Sequence, residues 1–366
     1  MRTQAQSRRR FAVGVLVMLS LLAGCSIQPV RTVIVNRRGL SETTQIARVP
    51  DDAATGHEVR AGDSNSAGPM TQDVEGAGVC RVKYHRSYNR NRWMVVDGII
   101  GNDRKYPVVL DTGASPALFV NDLHIVENKL EIQPSSGDDT NPSRWGLCRM
   151  PRLGIGEIAL LNWPCLYGQQ HTEVQLFGLP LAKGRAIVVG VPALRRFSYI
   201  AFDSIEKEVE FSIEEPFECG QPDLWSQYPF AIEEAPGGNA FLFVKIPIAG
   251  EQTELQLDTG SGRGLAIAEG LWEQMQHRVQ ITRLAETKEL YPYIGWLDCR
   301  QGVIPNLSVG DRVVSRAQIS VFPNGSPLLD PPAAGQGLLG MQYFSDSVLV
   351  LDFSRSLMWV KNPAGR

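Results

Sequence analysis

The sequence predicts an all-β fold built from two related halves, and three observations carry that prediction. The triplet Asp-Thr-Gly occurs twice, at Asp111-Thr112-Gly113 and Asp258-Thr259-Gly260, each directly after an apolar run, Tyr106 to Leu110 and Glu254 to Leu257. An apolar-apolar-glycine signal follows each, ending at Gly190 and Gly340, 79 and 82 residues beyond the respective aspartates. Between these landmarks, Trp145-Gly146-Leu147-Cys148-Arg149 is echoed by Trp296-Leu297-Asp298-Cys299-Arg300, and Pro151 to Glu157 by Pro305 to Asp311. Landmarks repeated in one order mark an internal duplication. Scattered Gly and Pro between short apolar runs fit strands joined by turns.

The amino terminus is set aside before fold reasoning. Arg8-Arg9-Arg10 precedes a mostly apolar run from Phe11 to Ala23, and the segment closes as Leu22-Ala23-Gly24-Cys25. That run is short for a membrane span. It resembles a bacterial lipoprotein signal, which implies that residues 1–24 are removed and that Cys25 carries lipid. An uncleaved anchor helix is the alternative. Ser26 follows the cysteine where inner-membrane retention would favour aspartate, so the expected location is the outer membrane facing the periplasm. Ser7 to Phe11 also resembles a twin-arginine signal, from which Ala12-Val13 depart.

Residues 25–90 are poor in large apolar side chains and lack sustained periodicity, so they read as a flexible tether. An arm that packs on the rest of the chain is the alternative reading. Two lobes follow, at 91–215 and 239–362, joined by an interlobe linker at 216–238 that is rich in Pro and carries Gly237-Gly238. After each signal glycine comes a helix-compatible stretch, Val191 to Phe197 and Met341 to Asp346. Each then runs into a strand holding an aspartate, Asp203 and Asp352. Both of these aspartates are read as structural.

A carboxylate presented at a strand end, twice in one chain, is a way to build a facing pair. Two carboxylates close enough to share a proton cannot both ionise, so one serves as base and the other as acid. One triplet alone is an ordinary strand-to-turn sequence; the repeat around it gives it weight. With these residues the chain resembles the retropepsin/pepsin superfamily of aspartic proteases, with two retropepsin-like lobes fused, over about Trp93 to Val360. Leu110 to Ser115 is retropepsin-like in wording, and Leu257 to Gly262 is nearer the pepsin form.

The resemblance implies the bilobal acid-protease fold, two β-barrel-like lobes related by a pseudo-two-fold with a cleft between them. It implies an endopeptidase in which Asp111 and Asp258 activate a water, with no cofactor and no metal. Thr112 and Thr259 would reach across to the opposite loop and lock the pair, while Gly113 and Gly260 would permit the sharp turn. The glycines of the second signature, Gly190 and Gly340, would pack under the catalytic loops. Ser261 stands where the first triplet has Ala114, so its hydroxyl is expected to favour the charged form of Asp258. Flaps are expected at Gly137–Trp145 and Tyr291–Trp296, with Trp145, Tyr293 and Trp296 lining subsites or, equally, serving as core aromatics. Arg263 could bias the cleft towards acidic side chains or be a paired surface arginine.

A net charge of −3 offers nothing for a nucleic-acid partner. The expected partners are a polypeptide substrate and, through Cys25, a membrane; the expected state is a monomer. No Cys-x-x-Cys or His-Glu-x-x-His occurs, so a metal site is not expected. Of six cysteines, lipidation of Cys25 leaves Cys80, Cys148, Cys165, Cys219 and Cys299, an odd number whose pairing spacing does not fix. Cys148 and Cys299, at matched positions, either face each other or are buried thiols, one in each lobe. The rival to hydrolysis is a catalytically silent lipoprotein that uses the same cleft to bind peptides or a partner protein.

Overall fold

A computed structural model of the chain describes residues 72–76, 78–85, 94–101, 104–133, 145–168, 173–176, 179–183, 186–281, 283–291, 295–329 and 336–362. The signal peptide, Cys25 and the start of the expected tether lie outside the described residues. No helix among the described residues is long and apolar enough to cross a membrane.

The first half contains β1 (Asp73–Glu75), β2 (Val79–Lys83), β3 (Val95–Ile100), β4 (Arg104–Leu110), β5 (Leu118–Asn121), β6 (Trp145–Ile155) and β7 (Ile158–Gly168). It continues through β8 (Glu173–Leu176), β9 (Leu179–Lys183), β10 (Ile187–Val189), β11 (Tyr199–Asp203) and β12 (Glu208–Ser212). The second half contains β13 (Trp225–Ala235), β14 (Asn239–Ile248), β15 (Glu251–Asp258), β16 (Leu265–Ala268) and β17 (Ala285–Tyr291). After these come β18 (Gly295–Val309), β19 (Arg312–Phe322), β20 (Gly337–Gly340), β21 (Val348–Asp352) and β22 (Leu357–Lys361). Helices are short: α1 (Asp122–Asn128), α2 (Val191–Leu194) and α3 (Glu269–Met275). Strands β8 and β9 form an antiparallel hairpin of their own.

Each half closes a six-stranded barrel, and the two close in the same way. The first runs β6-β7-β5-β10-β4-β3 and returns to β6; the second runs β18-β19-β16-β20-β15-β14 and returns to β18. The direction of every pairing matches too. Strands β7 and β5 run parallel, as do β10 and β4, and their counterparts β19 with β16 and β20 with β15 do the same. The turn between β6 and β7 places Gly156 at φ 60°, and that between β18 and β19 places Gly310 at φ 59°, where a side chain would be strained. The repeats Pro151–Glu157 and Pro305–Asp311 are therefore the two copies of one hairpin corner.

Between the barrels runs an antiparallel sheet in the order β2-β12-β11-β21-β22-β13. Its centre pairs β11 with β21, one strand from each half, with Tyr199 opposite Asp352 and Asp203 opposite Val348. The hydrophobic core continues from barrel to sheet, through Leu110, Leu118, Leu160 and Phe202 in one half and Leu257, Ile267, Leu339 and Leu351 in the other. The alternating burial of Val95–Ile100 is that of a strand with one face on this core. Helix α1 begins at Asn121, whose side chain accepts from the His124 N–H while His124 Nδ1 accepts from the Asn121 N–H, a capping box.

Two of the expected connecting segments contain strands. Residues 73–75 and 79–83 fall inside the 25–90 segment, yet β1 pairs with β7 and β2 with β12, so this stretch packs on the lobes as the alternative reading had it. Cys80 and Tyr84 are buried, and β2 is the counterpart of β13 across the shared sheet. The linker 216–238 likewise holds β13, whose first part pairs with β22 and second part with β14. In both places a strand with one covered face needs few apolar residues, so its composition looks like that of a loop.

A consequence is testable. A fragment starting at residue 91 loses β1, the β2 edge and the burial of Cys80 and Tyr84, all of which a fragment starting at residue 72 keeps. Urea denaturation should find the shorter fragment less stable by about 3 kcal/mol. Equal midpoints would return residues 73–85 to the status of a tether.

Candidate active site

Asp111 directly follows β4, and its N–H donates to Val189 O of the parallel strand β10 at 2.9 Å. Asp258 ends β15 and stands opposite Gly340 of the parallel strand β20. The central barrel strands of each half thus deliver one carboxyl each, and the second signature of each half lies beside its own triplet. Gly190 and Gly340 are needed for that approach. A Cβ on Gly190 would collide with the backbone oxygens of Ala114 and Pro116, and one on Gly340 with the backbone at Arg263 and Gly264.

Thr112 and Thr259 bind the two loops with four hydrogen bonds. Thr112 Oγ1 donates to Leu257 O and Thr259 Oγ1 to Leu110 O, each at 2.6 Å. Each hydroxyl also accepts from the other threonine's N–H, Thr112 N to Thr259 Oγ1 at 3.0 Å and Thr259 N to Thr112 Oγ1 at 3.1 Å. Both threonines are fully buried. A hydroxyl is one donor and an acceptor, so the lattice uses both capacities of both side chains and is symmetric between the halves.

The two carboxyls face each other, close enough to interact directly. Gly113 and Gly260 make room for this. A Cβ on Gly113 would lie 2.8 Å from Asp258 Cγ and 3.0 Å from Asp111 Oδ1, and one on Gly260 would lie 2.5 Å from both Asp111 oxygens. Neither glycine has a positive φ. The expected reason, a sharp turn, is therefore replaced by another: the opposite carboxyl passes where a side chain would be.

Burial pushes both carboxyls above the ordinary aspartate range. Asp258 goes further, because the Asp111 charge beside it adds to the burial. Asp111 is held lower by the N–H of Gly113, 2.8 Å from its Oδ1, by its contact with Asp258, and by the N–H groups of Gly260 and Ala114. The two titrate as a unit, with one proton between them over the middle of the range. Ser261 does not supply the expected hydroxyl donor to Asp258. Its Oγ accepts from the Arg263 N–H at 3.3 Å instead of serving Asp258, which receives N–H groups from Gly260 and from the Ser261 backbone.

Other expected positions fall as follows. Tyr291 closes β17 opposite Gly295 of β18, so Tyr291 and Trp296 stand at the end of the β17–β18 ladder; Tyr291 is buried and Trp296 is 46% exposed. Tyr293 lies outside the described residues, as does the stretch before Trp145. Trp145 itself begins β6 opposite Gly168. Asp203 Oδ1 accepts the N–H groups of Ile205 and Glu206, and Asp352 Oδ1 accepts from Ser354 and Arg355, so both aspartates cap turns away from the dyad. Cys148 and Cys299 do not face each other. Cys148 lies opposite Cys165 across the β6–β7 ladder with their side chains in hydrogen-bond contact, while Cys299 lies opposite Thr287 in a separate cluster. Among the described residues, no group of three or more His, Cys, Asp or Glu side chains is placed to hold a metal ion.

Sequence reasoning missed Gln256. Two residues before Asp258 on a strand, it points to the same face, and its buried side-chain amide donates to Gly113 O at 3.3 Å. It adds a further tie from the second half to the first triplet. It also missed Glu289, an alternating strand residue whose burial comes from distant partners.

No family model matches the chain, and no curated protein matches it. Among solved structures, the chain is similar to an aspartic proteinase from Irpex lacteus (10% identity, TM-score 0.43, 78% of this chain and 98% of that one). It is also similar to basic 7S globulin from soybean (13%, 0.41, 80% and 95%) and to conglutin gamma, a basic 7S globulin from lupine seeds (10%, 0.41, 80% and 96%).

Proposed function

We propose that this chain is an aspartic-type endopeptidase that hydrolyses peptide bonds with a water activated by Asp111 and Asp258. The observation that carries the reading is the pair of facing carboxyls held by a symmetric threonine lattice, with both aspartates in one chain. The ionised member of the pair takes a proton from a water lying between the carboxyls. The oxygen of that water attacks the scissile carbonyl carbon. The protonated member donates its proton towards the carbonyl oxygen as that oxygen becomes negative. Collapse of the tetrahedral adduct expels the amine, which takes up a proton, and the dyad is left again with one proton. No side chain becomes covalently bound.

We also propose that the enzyme is a monomer held in the bacterial envelope by lipid on Cys25, at the outer membrane facing the periplasm. This part rests on Arg8-Arg9-Arg10, the apolar run and Leu22-Ala23-Gly24-Cys25.

The test is cleavage of a peptide library by the fragment starting at residue 72, from pH 4 to pH 8, beside Asp111→Ala and Asp258→Ala. The expected result is hydrolysis by the parent that is lost in each single variant. A folded parent that cleaves nothing at any pH would sink the hydrolytic reading and favour a silent cleft that binds peptides or a partner protein.

A further inference from the structure

Glu289 of β17 is buried at 8% exposure, and four side chains converge on its carboxylate. Oε2 accepts from Arg263 Nη1 at 3.1 Å and from the Tyr291 hydroxyl at 2.9 Å. Oε1 accepts from Ser320 Oγ at 2.9 Å and from Gln301 Nε2. These partners come from the loop after Asp258, from the end of β17, from β19 and from β18. One buried anion thus joins the β17–β18 hairpin to the loop that carries half of the dyad.

Arg263 is the cation of this group. Its N–H donates to Ser261 Oγ and its carbonyl accepts from the Gln342 N–H at 3.0 Å. The next residue, Gly264, accepts from Gly340, which stands beside Asp258 in the ladder. The guanidinium lies over the Tyr291 ring, 4.6 Å from its centre, and the side chain stays 42% exposed. An arginine so near the dyad would by itself draw an acidic substrate side chain. Glu289 removes that attraction, because turning Arg263 towards a substrate carboxylate would leave a buried anion without its counter-charge. What remains for a substrate is a stacked Arg263–Tyr291 surface with its charge already matched, which suits flat or apolar groups.

We propose that Glu289 is a positioning and specificity residue: it fastens the β17–β18 hairpin to the Asp258 loop and neutralises Arg263, so that the adjoining subsite takes a neutral side chain, aromatic or aliphatic, and rejects an acidic one. This rests on the hydrolytic reading for its substrate and on the contacts alone for the fastening.

The experiment uses the full chain and peptides in matched pairs, with Glu or Gln at each position flanking the cleaved bond, at pH 6. The parent should favour the Gln member. In Glu289→Gln, at one position only, the ratio of kcat/KM values should move towards the Glu member by about threefold, the scale of a single charge pair at a part-exposed site. The double variant Glu289→Gln/Arg263→Gln should lose that gain. A ratio unchanged in Glu289→Gln, or a gain that survives removal of Arg263, overturns the specificity.

Deuterium uptake by the amides of residues 285–300 decides the fastening without any turnover. Uptake faster in Glu289→Gln than in the parent, with the rest of the barrel unchanged, is the expected result, and equal uptake overturns it. If the parent hydrolyses nothing, the hydrolytic reading falls by itself. The same peptides, labelled with a fluorophore, are then scored for binding, and absence of binding removes the subsite as well.

Discussion

Replacing Asp258 with asparagine should abolish hydrolysis and, at neutral pH, stabilise the protein. The loss of rate follows from the proton. Asparagine keeps the shape and can donate an N–H, but it has no proton to give to the carbonyl oxygen and cannot share one with Asp111. Residues that act as one catalytic unit lose most of the effect when either member goes, on the order of 10⁴-fold or more. Asp111→Asn should cost about as much, since the pair is then broken too.

The gain in stability follows from the electrostatics. Both carboxyls have folded-state pKa values raised by burial, and Asp258 is raised further by the charge on Asp111. A carboxyl raised in this way binds its proton more tightly in the folded state than in the unfolded one. The folded protein therefore loses stability as pH rises from the unfolded aspartate value of 3.8 through the raised folded value. Asparagine has no such term. The difference between variant and parent should be small below pH 4 and grow as pH rises. It should level off above the folded value.

Urea midpoints measured from pH 3.5 to pH 8 check the sign. A difference that does not change with pH would mean that the two carboxyls carry no burial penalty.

The sequence carried the site far better than it carried the edges of the fold. Both triplets, both signature glycines and the paired hairpin corners belong to the repeated unit, and a duplication is visible because the same local constraint is written twice. Strand β4 is buried on both faces over its last residues and appears as an apolar run, whereas β15 carries Glu254 and Gln256 between its leucines. Strand β2 is different. Val79-Cys80-Arg81-Val82-Lys83 buries only Cys80 fully, and its last residue is paired with Glu208 on the surface. Five alternating residues next to a long polar stretch look like more of that stretch.

The details that depend on register were equally hidden. Cys148 meets Cys165 because β6 and β7 pair in one register, and residue spacing does not encode that register. Ser261 looked like a donor to Asp258, yet the chain folds back within two residues and uses its oxygen as an acceptor for Arg263. Glu289 sits in Ala285-Glu286-Thr287-Lys288-Glu289-Leu290-Tyr291, where nothing local distinguishes it from Glu286. Its role comes from an arginine 26 residues earlier and a serine 31 residues later.

Removing both threonine hydroxyls, as Thr112→Val with Thr259→Val, should cost about 5 kcal/mol and most of the activity. Valine keeps nearly the same volume, so packing changes little and the effect reads the hydrogen bonds alone. Each hydroxyl is buried, donates at 2.6 Å to a carbonyl in the other half and accepts an N–H from the other half. Its loss strands one carbonyl and one N–H without water, at about 1–3 kcal/mol for each group left unpaired. The two sites touch, so their effects need not add. Thr112→Ser and Thr259→Ser keep the oxygen and should cost less than about 1.5 kcal/mol, for the lost methyl group.

The kinetic effect separates a holding role from a merely structural one. Nothing in the lattice touches a substrate. If it sets the carboxyls in place, the valine variants should lose kcat with KM nearly unchanged, and the serine variants should recover it. Equal loss in serine and valine variants would point to packing around the methyl groups as what matters. A stability change under about 1 kcal/mol in the double variant would mean that the four bonds are replaced by water once the hydroxyls go. The two halves would then be held together by the shared sheet, with the dyad supported by Gln256 and the signature glycines.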